Sequence, residues 1–107
     1  MSTFDPRSCL AALAADYAER ANAIRHDLAR SHSADFAEQA QQRQNDEVLE
    51  ALLAEAQAAQ QQVVRAQERL AAGSYGRCLR CAQAIAPARL QAMPMAEYCV
   101  ACADQRD

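Results

Sequence analysis

Apolar residues recur at helical spacing over the first third of the chain. Asp5-Pro6 is a helix start signal, with Asp5 as the N-cap and Pro6 at the first helical position. Behind it, apolar side chains fall near one stripe with polar residues between them: Leu10, Leu13, Tyr17, Ile24 and Leu28. This spacing predicts a first helix from Pro6 to about Arg30.

A second, longer helix is predicted by a heptad pattern. Ser31-His32-Ser33-Ala34-Asp35 interrupts the first pattern with short polar side chains, and Ser33 or Asp35 is a candidate cap for the next helix. Two heptad positions are then apolar, one with Leu49, Ala56, Val63 and Leu70, the other with Leu52, Ala59 and Ala66. Gly73 is placed to end this helix. We therefore predict an all-α fold that begins with an antiparallel two-helix coiled-coil hairpin, and we expect Val63 to Leu70 to pack on the C-terminal module.

Four cysteines stand in two C-x-x-C pairs after this hairpin. The pairs are Cys78 with Cys81 and Cys99 with Cys102, and seventeen residues separate them. This spacing is typical of a four-thiolate zinc site, which is closed and therefore structural. Two disulfides or a thiol redox pair are the alternatives. Cys9 is the odd cysteine, and we interpret it as a small buried apolar residue.

The zinc module is predicted to have little regular structure up to Ala86, a helical turn from Pro87 and a last short helix from Val100. Its small core is predicted to consist of the larger apolar side chains Leu79, Ile85, Leu90, Met93, Tyr98 and Val100. The expected division is a hairpin arm at 1–72, with its tip at about 31–40, and a four-cysteine module at 73–107.

Charge and composition argue against two classes of partner. The net charge is −3: residues 1–73 hold seven Arg against eleven Asp and Glu (−4), and residues 74–107 hold four Arg against three acids (+1). Neither part has the basic footprint of a nucleic-acid binder, so we expect no direct DNA binding. No apolar run approaches the roughly 20 residues of a membrane span. We expect a cytoplasmic protein without a membrane partner.

The residues around the cysteines resemble a known family. Y-G-R-C-L-R-C, then I-A-P-A-R-L-Q-A-M-P-M-A and C-V-A-C closely resemble the zinc finger of the DnaK suppressor (DksA/TraR) family of bacterial transcription factors. The resemblance implies a monomeric, non-enzymatic regulator that binds RNA polymerase, as core or holoenzyme. It would insert its coiled-coil tip into the secondary channel and alter the stability of promoter open complexes. A DNA-binding or purely structural zinc-finger module, and a thiol redox enzyme, are the alternatives.

The resemblance also implies roles for single residues. Family members with full activity carry Asp-x-x-Asp-x-Ala at the tip, where this chain has Asp35, Glu38 and Ala40; the glutamate is one methylene longer. Apart from the resemblance, Arg77, Arg80 and Arg89 are candidate contacts with the rim of the polymerase, and a solvated surface charge is the alternative for each.

The chain departs from longer family members in two respects. It resembles a short form without their N-terminal segment. Gln62, Met93 and Ala103 stand where those members use basic residues for guanosine tetraphosphate. Because a charged alarmone needs cationic partners, we expect weak or no dependence on it.

Overall fold

The computed structural model describes residues 4–30 and 36–104, and this part of the chain is helical without strands. Four helices succeed one another: α1 (Pro6–Leu28), α2 (Phe36–Ala72), α3 (Pro87–Ala92) and α4 (Val100–Ala103). The predicted fold class is confirmed, including the short last helix. The predicted reversal, with its candidate caps Ser33 and Asp35, lies outside the described residues.

The start of α1 shows the predicted capping chemistry. Asp5 Oδ1 accepts a hydrogen bond from the Arg7 backbone N–H at 3.2 Å, and Asp5 Oδ2 accepts one from the Ser8 hydroxyl at 2.9 Å. The Asp5 carbonyl accepts the first helical bond, from Cys9 N–H at 3.1 Å. Asp5 thus satisfies a backbone donor that has no partner within the helix, as an N-cap does.

Gly73 ends α2 in the left-handed region, with φ of 82°. The Ser74 N–H donates to the Arg69 carbonyl at 2.9 Å, and the Gly73 N–H donates to the Leu70 carbonyl at 3.3 Å. These two bonds form a Schellman motif, which requires a residue that tolerates positive φ. The predicted C-terminus of α2 is confirmed.

The chain forms two compact units, and both long helices contribute to each. The four-cysteine unit consists of Met1–Ala14 and Gln61–Asp107, and the two-helix unit is Ala15–Gln60. Within the four-cysteine unit, Leu10, Val63 and Ala66 are fully buried. The prediction that the end of α2 packs on the zinc module is consistent with this burial.

The buried and half-buried residues of α2 form one row along the helix, with alternating steps of three and four residues, and a second row towards its C-terminal end. The first row consists of Gln39, Gln42, Asp46, Leu49, Leu53, Ala56, Gln60, Val63, Gln67 and Leu70, and the second of Ala59, Gln62, Ala66 and Arg69. The predicted seam residue Leu52 is therefore wrong, because its side chain is 45% exposed while its neighbour Leu53 is half-buried. Because residues 52 and 53 are both leucine, the sequence does not show whether the next buried position lies three or four residues after Leu49.

The stripe of α1 keeps the predicted Leu10 and Ile24, and adds Ala21, which is fully buried. Alanine at a seam position allows close approach of neighbouring backbone but contributes little apolar surface.

None of the helices in residues 4–30 and 36–104 has an apolar stretch long enough to cross a lipid bilayer.

The predicted core of the zinc module is largely wrong. Ile85 is buried, but four of the six predicted members are exposed: Leu79 at 54%, Met93 at 43%, Tyr98 at 39% and Val100 at 57%. The buried positions of this module are taken instead by Cys78, Pro94 and Ala96. Leu79 and Val100 each come directly after the first cysteine of a pair.

Candidate metal centre

The first cysteine pair lies in a short hairpin closed by backbone hydrogen bonds. Arg77 and Ala84 form an antiparallel bridge. The Cys78 N–H donates to the Gln83 carbonyl at 2.9 Å, and the Ile85 N–H donates to the Gly76 carbonyl at 2.8 Å. These bonds fix both ends of the loop that carries Cys78 and Cys81.

Ala82 completes this loop in an unusual conformation. Its φ is 64°, in the left-handed region, and it is the one non-glycine residue with positive φ in the described chain. Its N–H donates to the Cys78 carbonyl at 2.9 Å. The turn therefore reverses the chain immediately after Cys81.

The second pair brackets α4. Cys99 precedes the helix in an extended conformation, with φ of −69° and ψ of 167°, and its carbonyl accepts a hydrogen bond from the Ala103 N–H at 2.8 Å. Cys102 lies within the helix. One helical turn brings the two thiols of a C-x-x-C pair to the same side, so the two pairs use different local structures.

The structure brings all four predicted ligands together. The sulfur atoms of Cys78, Cys81, Cys99 and Cys102 lie within 4.8 Å of one another, and the Sγ atoms of Cys81 and Cys99 are 3.8 Å apart. A tetrahedral zinc ion with Zn–S bonds of about 2.3 Å needs sulfur atoms about 3.8 Å apart. The donor set and its spacing fit one zinc ion without further ligands, so the predicted structural zinc site is confirmed.

The backbone around the site favours a thiolate at Cys78. Burial opposes ionisation of this thiol, but hydrogen bonds from the backbone N–H groups of Cys81, Cys99 and Arg80 outweigh it and lower the pKa of Cys78 to about 6. At Cys102, burial and hydrogen bonds with the neighbouring cysteines raise the pKa to about 12. In the metal-free protein Cys78 therefore loses its proton more readily than Cys102, and a divalent cation would replace the protons of the ligands it binds.

Side chains from outside the pairs hold the two loops. Arg77 Nη1 donates to the Ala82 carbonyl at 3.2 Å, and Arg89 Nε donates to the Tyr98 carbonyl at 2.9 Å. These two predicted polymerase contacts thus each make a hydrogen bond within the module. The third, Arg80, is exposed.

Glu97 forms an ion pair that nothing in the sequence indicates. Its carboxylate accepts hydrogen bonds from Arg65, with Nε to Oε2 at 2.8 Å and Nη2 to Oε1 at 3.4 Å. Arg69 Nη1 lies 3.6 Å from the same Oε2. No periodicity connects α2 to a residue 32 positions later, so only the fold reveals this ion pair.

A groove of the four-cysteine unit, about 510 Å³ in volume, contains the three positions expected to affect alarmone binding. Gln62, Met93 and Ala103 line it together with Arg80, Arg89 and other residues of the module. The structure thus places two arginines in the groove besides the three uncharged residues.

The predicted tip residues are described only in part. Glu38 and Ala40 are exposed near the start of α2, whereas Asp35 lies outside the described residues. Cys9 is half-buried on α1 and is not one of the four clustered sulfurs.

Two family profiles together match almost all of the chain. Residues 7–70 match the DnaK suppressor protein-like N-terminal domain, and residues 73–107 match the prokaryotic dksA/traR C4-type zinc finger. Among curated proteins, no significant match was found.

A solved structure has the same fold. The structure of transcription factor DksA2 from Pseudomonas aeruginosa superposes with a TM-score of 0.80 at 24% sequence identity, covering 94% of this chain and 78% of that chain. Because the first profile alone covers more than half of the residues and the second contains the four clustered cysteines, the chain belongs to the DnaK suppressor (DksA/TraR) family.

Proposed function

We propose that this protein is a transcription regulator that binds bacterial RNA polymerase, as core or holoenzyme, and has no catalytic activity of its own. The observation that carries the proposal is the match of both family profiles, one on the helices and one on the zinc finger. The solved protein of the same fold is a transcription factor. The four clustered cysteines support a structural metal, because four thiolates leave no coordination position for a reacting water.

In this proposal each part of the chain has a separate role. Bound zinc cross-links the two cysteine pairs and supplies folding energy to the module at 73–107, which has few buried side chains among its described residues. The hairpin arm at 1–72 carries the tip, at about 31–40, into the secondary channel of the polymerase. There the carboxylates of Asp35 and Glu38, with Ala40 beside them, act on polymerase elements near its active site.

The regulatory effect is a shift between promoter-complex states. A tip that interacts more favourably with one state of the open complex changes its population by the difference in interaction free energy. Glu38 keeps the negative charge of the family pattern on a longer side chain, and its exposure supports a role in contact with a partner. Arg77, Arg80 and Arg89 remain the proposed contacts with the polymerase rim. Arg77 and Arg89 each use one N–H group for a hydrogen bond within the module, and a guanidinium has further N–H donors for a partner.

Guanosine tetraphosphate should matter little. Its phosphates need cationic partners, and Gln62, Met93 and Ala103 supply none in the groove. Arg80 and Arg89 also line the groove, so residual binding through them is the competing outcome. A titration of the alarmone during transcription distinguishes the two.

The protein is further proposed to act as a cytoplasmic monomer that does not bind DNA directly. The net charge of −3 supports this, because DNA affinity depends on neutralising phosphates with basic side chains. A DNA-binding or purely structural zinc-finger module is the alternative. Gel-shift binding to promoter DNA in the absence of polymerase would favour the DNA-binding alternative.

The test is transcription in vitro from a ribosomal-RNA promoter with purified polymerase and the zinc-loaded full chain. The wild-type protein should change the open-complex lifetime. Asp35→Asn should abolish that effect while polymerase affinity, measured by competition, stays within about twofold, because one exposed tip charge contributes little to affinity.

Asp16→Asn is a matched control, because it removes one exposed carboxylate from α1 at a position outside the tip. It should leave both readouts unchanged. Equal loss of binding and regulation in Asp35→Asn would contradict the separation of docking and tip action. Failure of the wild-type chain to bind polymerase would reject the function itself.

A further inference from the structure

Glu97 joins three segments of the four-cysteine unit. Its backbone carbonyl accepts a hydrogen bond from the Leu79 N–H at 2.8 Å, next to Cys78. Its side chain pairs with Arg65 on α2 at 2.8 Å, and the residue stands two positions before Cys99. A single residue therefore connects the first cysteine loop, the second cysteine loop and the helix.

The ion pairs of Glu97 differ in their exposure. The Arg65 side chain is 47% exposed, but those of Arg69 and Glu97 are only 12% and 11% exposed. The Arg69 Nη2 atom is buried and has no hydrogen-bond partner among the described residues. Glu97 is therefore the anion that compensates a nearly buried guanidinium, and displacing it would leave that charge unpaired in a poorly solvated position.

We propose that Glu97 is a positioning residue that couples metal binding to the docking of the second cysteine loop on α2. When the loop at 97–99 is held against Arg65 and Arg69, Cys99 is placed for coordination together with Cys78. Releasing the metal loosens this loop and weakens the ion pairs; weakening the ion pairs lowers metal affinity by the same factor, because coupling between two equilibria is reciprocal. The proposal does not depend on polymerase binding.

The first test measures zinc affinity of the full chain by competition with a chromophoric chelator. Glu97→Gln keeps the shape of the side chain and removes its charge. We expect its zinc dissociation constant to rise roughly tenfold, the lower end of the range for residues that orient metal ligands. Glu55→Gln makes the same chemical change at an exposed position in the two-helix unit, and should stay within about twofold of the wild type.

A double-mutant cycle with Arg65→Gln separates coupling from general weakening. Arg65 is half-exposed, so its replacement should leave the protein folded. If the two residues act through their pair, Arg65→Gln alone should also weaken zinc binding, and the double variant should bind zinc no more than about twofold more weakly than Glu97→Gln alone. Losses that simply multiply would overturn the proposal, as would a Glu97→Gln affinity equal to that of Glu55→Gln.

A spectroscopic readout reports the reverse direction of the coupling. In the zinc-loaded chain the Arg65 Nε–H should give a slowly exchanging nuclear magnetic resonance signal, because it donates to Glu97 at 2.8 Å. Chelation of the zinc should broaden or remove that signal, and zinc should restore it. A signal that does not change with metal occupancy would overturn the proposal independently of the affinity data.

Discussion

The two units of this protein are stabilised by different interactions. In the four-cysteine unit, Leu10 and Val63 are the largest fully buried side chains of the described residues, and clustered thiols and ion pairs join segments far apart in sequence. In the two-helix unit the buried side chains are Ala21, Ile24 and Ala56, while Val48 and Leu52 remain exposed. One unit therefore depends on specific long-range contacts, and the other on helix formation with a narrow apolar seam.

This difference indicates where the stability of the chain is concentrated. Alanine is the best helix former, so an alanine-rich seam favours helix while burying little surface. A unit built in this way is close to marginal stability in isolation. Replacing single residues in each unit, and changing the pH, tests this contrast.

Loss of the metal should have the strongest consequence. Cys78→Ser removes one of four clustered ligands, so bound zinc should fall from one equivalent to nearly none, and the melting temperature should drop. Amide exchange should accelerate mainly in residues 61–104, because the ligands lie there. Metal analysis and hydrogen-exchange mass spectrometry check this, with the exchange of residues 15–30 and 36–60 as the reference.

Cys9→Ser is the matched control for this experiment, since Cys9 is outside the sulfur cluster. It should retain one equivalent of zinc. An unchanged melt in Cys78→Ser, or equal acceleration of exchange in both units, would remove the contrast between the units.

Truncating a core side chain of the four-cysteine unit should lower the free energy of unfolding less than loss of the metal does. It should lower it more than any substitution at an exposed position. Leu10→Ala leaves a cavity at a fully buried position and should lower the free energy of unfolding by about 3 kcal/mol in chemical denaturation. Leu52→Ala, at a side chain 45% exposed, should cost less than about 1 kcal/mol. Leu53→Ala should cost more than Leu52→Ala; the opposite order would contradict the observed seam.

Acidification should weaken zinc binding with a change of slope near pH 6. The pKa of Cys78 is lowered to about 6, so above this pH its thiolate is already formed and below it zinc must displace a proton. The apparent affinity should therefore lose an additional factor of about ten per pH unit below pH 6. Chelator competition between about pH 5 and pH 8 measures this slope.

The same shifts set the pH dependence of the metal-free protein. Because the folded pKa of Cys78 is depressed, its contribution to stability is present above about pH 9 and lost as pH falls towards 6. The pKa of Cys102 is raised to about 12, so its contribution is present below about pH 9 and lost as pH rises towards 12.

A zinc-affinity slope that is constant through pH 6 would contradict the assignment of a pre-formed thiolate at Cys78.

The weakest effect concerns the helix end that enters the module. Gly73→Ala places a Cβ at φ of 82°, where nothing within 4 Å obstructs it, so the cost is backbone strain alone, about 1 kcal/mol. Gly73→Asn should recover part of it, because asparagine tolerates this conformation better. Equal stability of the wild type and both variants in thermal melts would mean that the Schellman motif is not retained in solution.

Helix limits and metal ligands could be predicted because both depend on local sequence. Asp5-Pro6, Gly73 and the two C-x-x-C pairs each determine their structure within a few residues. The interior of the zinc module could not be predicted in this way. Once both cysteines of a pair turn towards the metal, the residue after the first cysteine points away, which is why Leu79 and Val100 are exposed at 54% and 57%.

Contacts between distant segments also required the structure. Glu97 forms an ion pair with Arg65, which lies 32 residues earlier in the chain. A single glutamate close to a cysteine belongs to no sequence pattern that predicts such a pair. The choice between Leu52 and Leu53 depended on a one-residue shift that apolar character does not resolve.

The first cysteine loop contains a residue in a strained backbone conformation, the left-handed Ala82 beside Cys81. Ala82 holds φ of 64° at a cost of about 1 kcal/mol relative to an ordinary backbone geometry, a cost that glycine would not incur. Backbone hydrogen bonds close that turn, and one ion coordinated by Cys78 and Cys81 would constrain it further. Metal release would therefore remove one of the constraints on this strained turn, while its backbone hydrogen bonds remain.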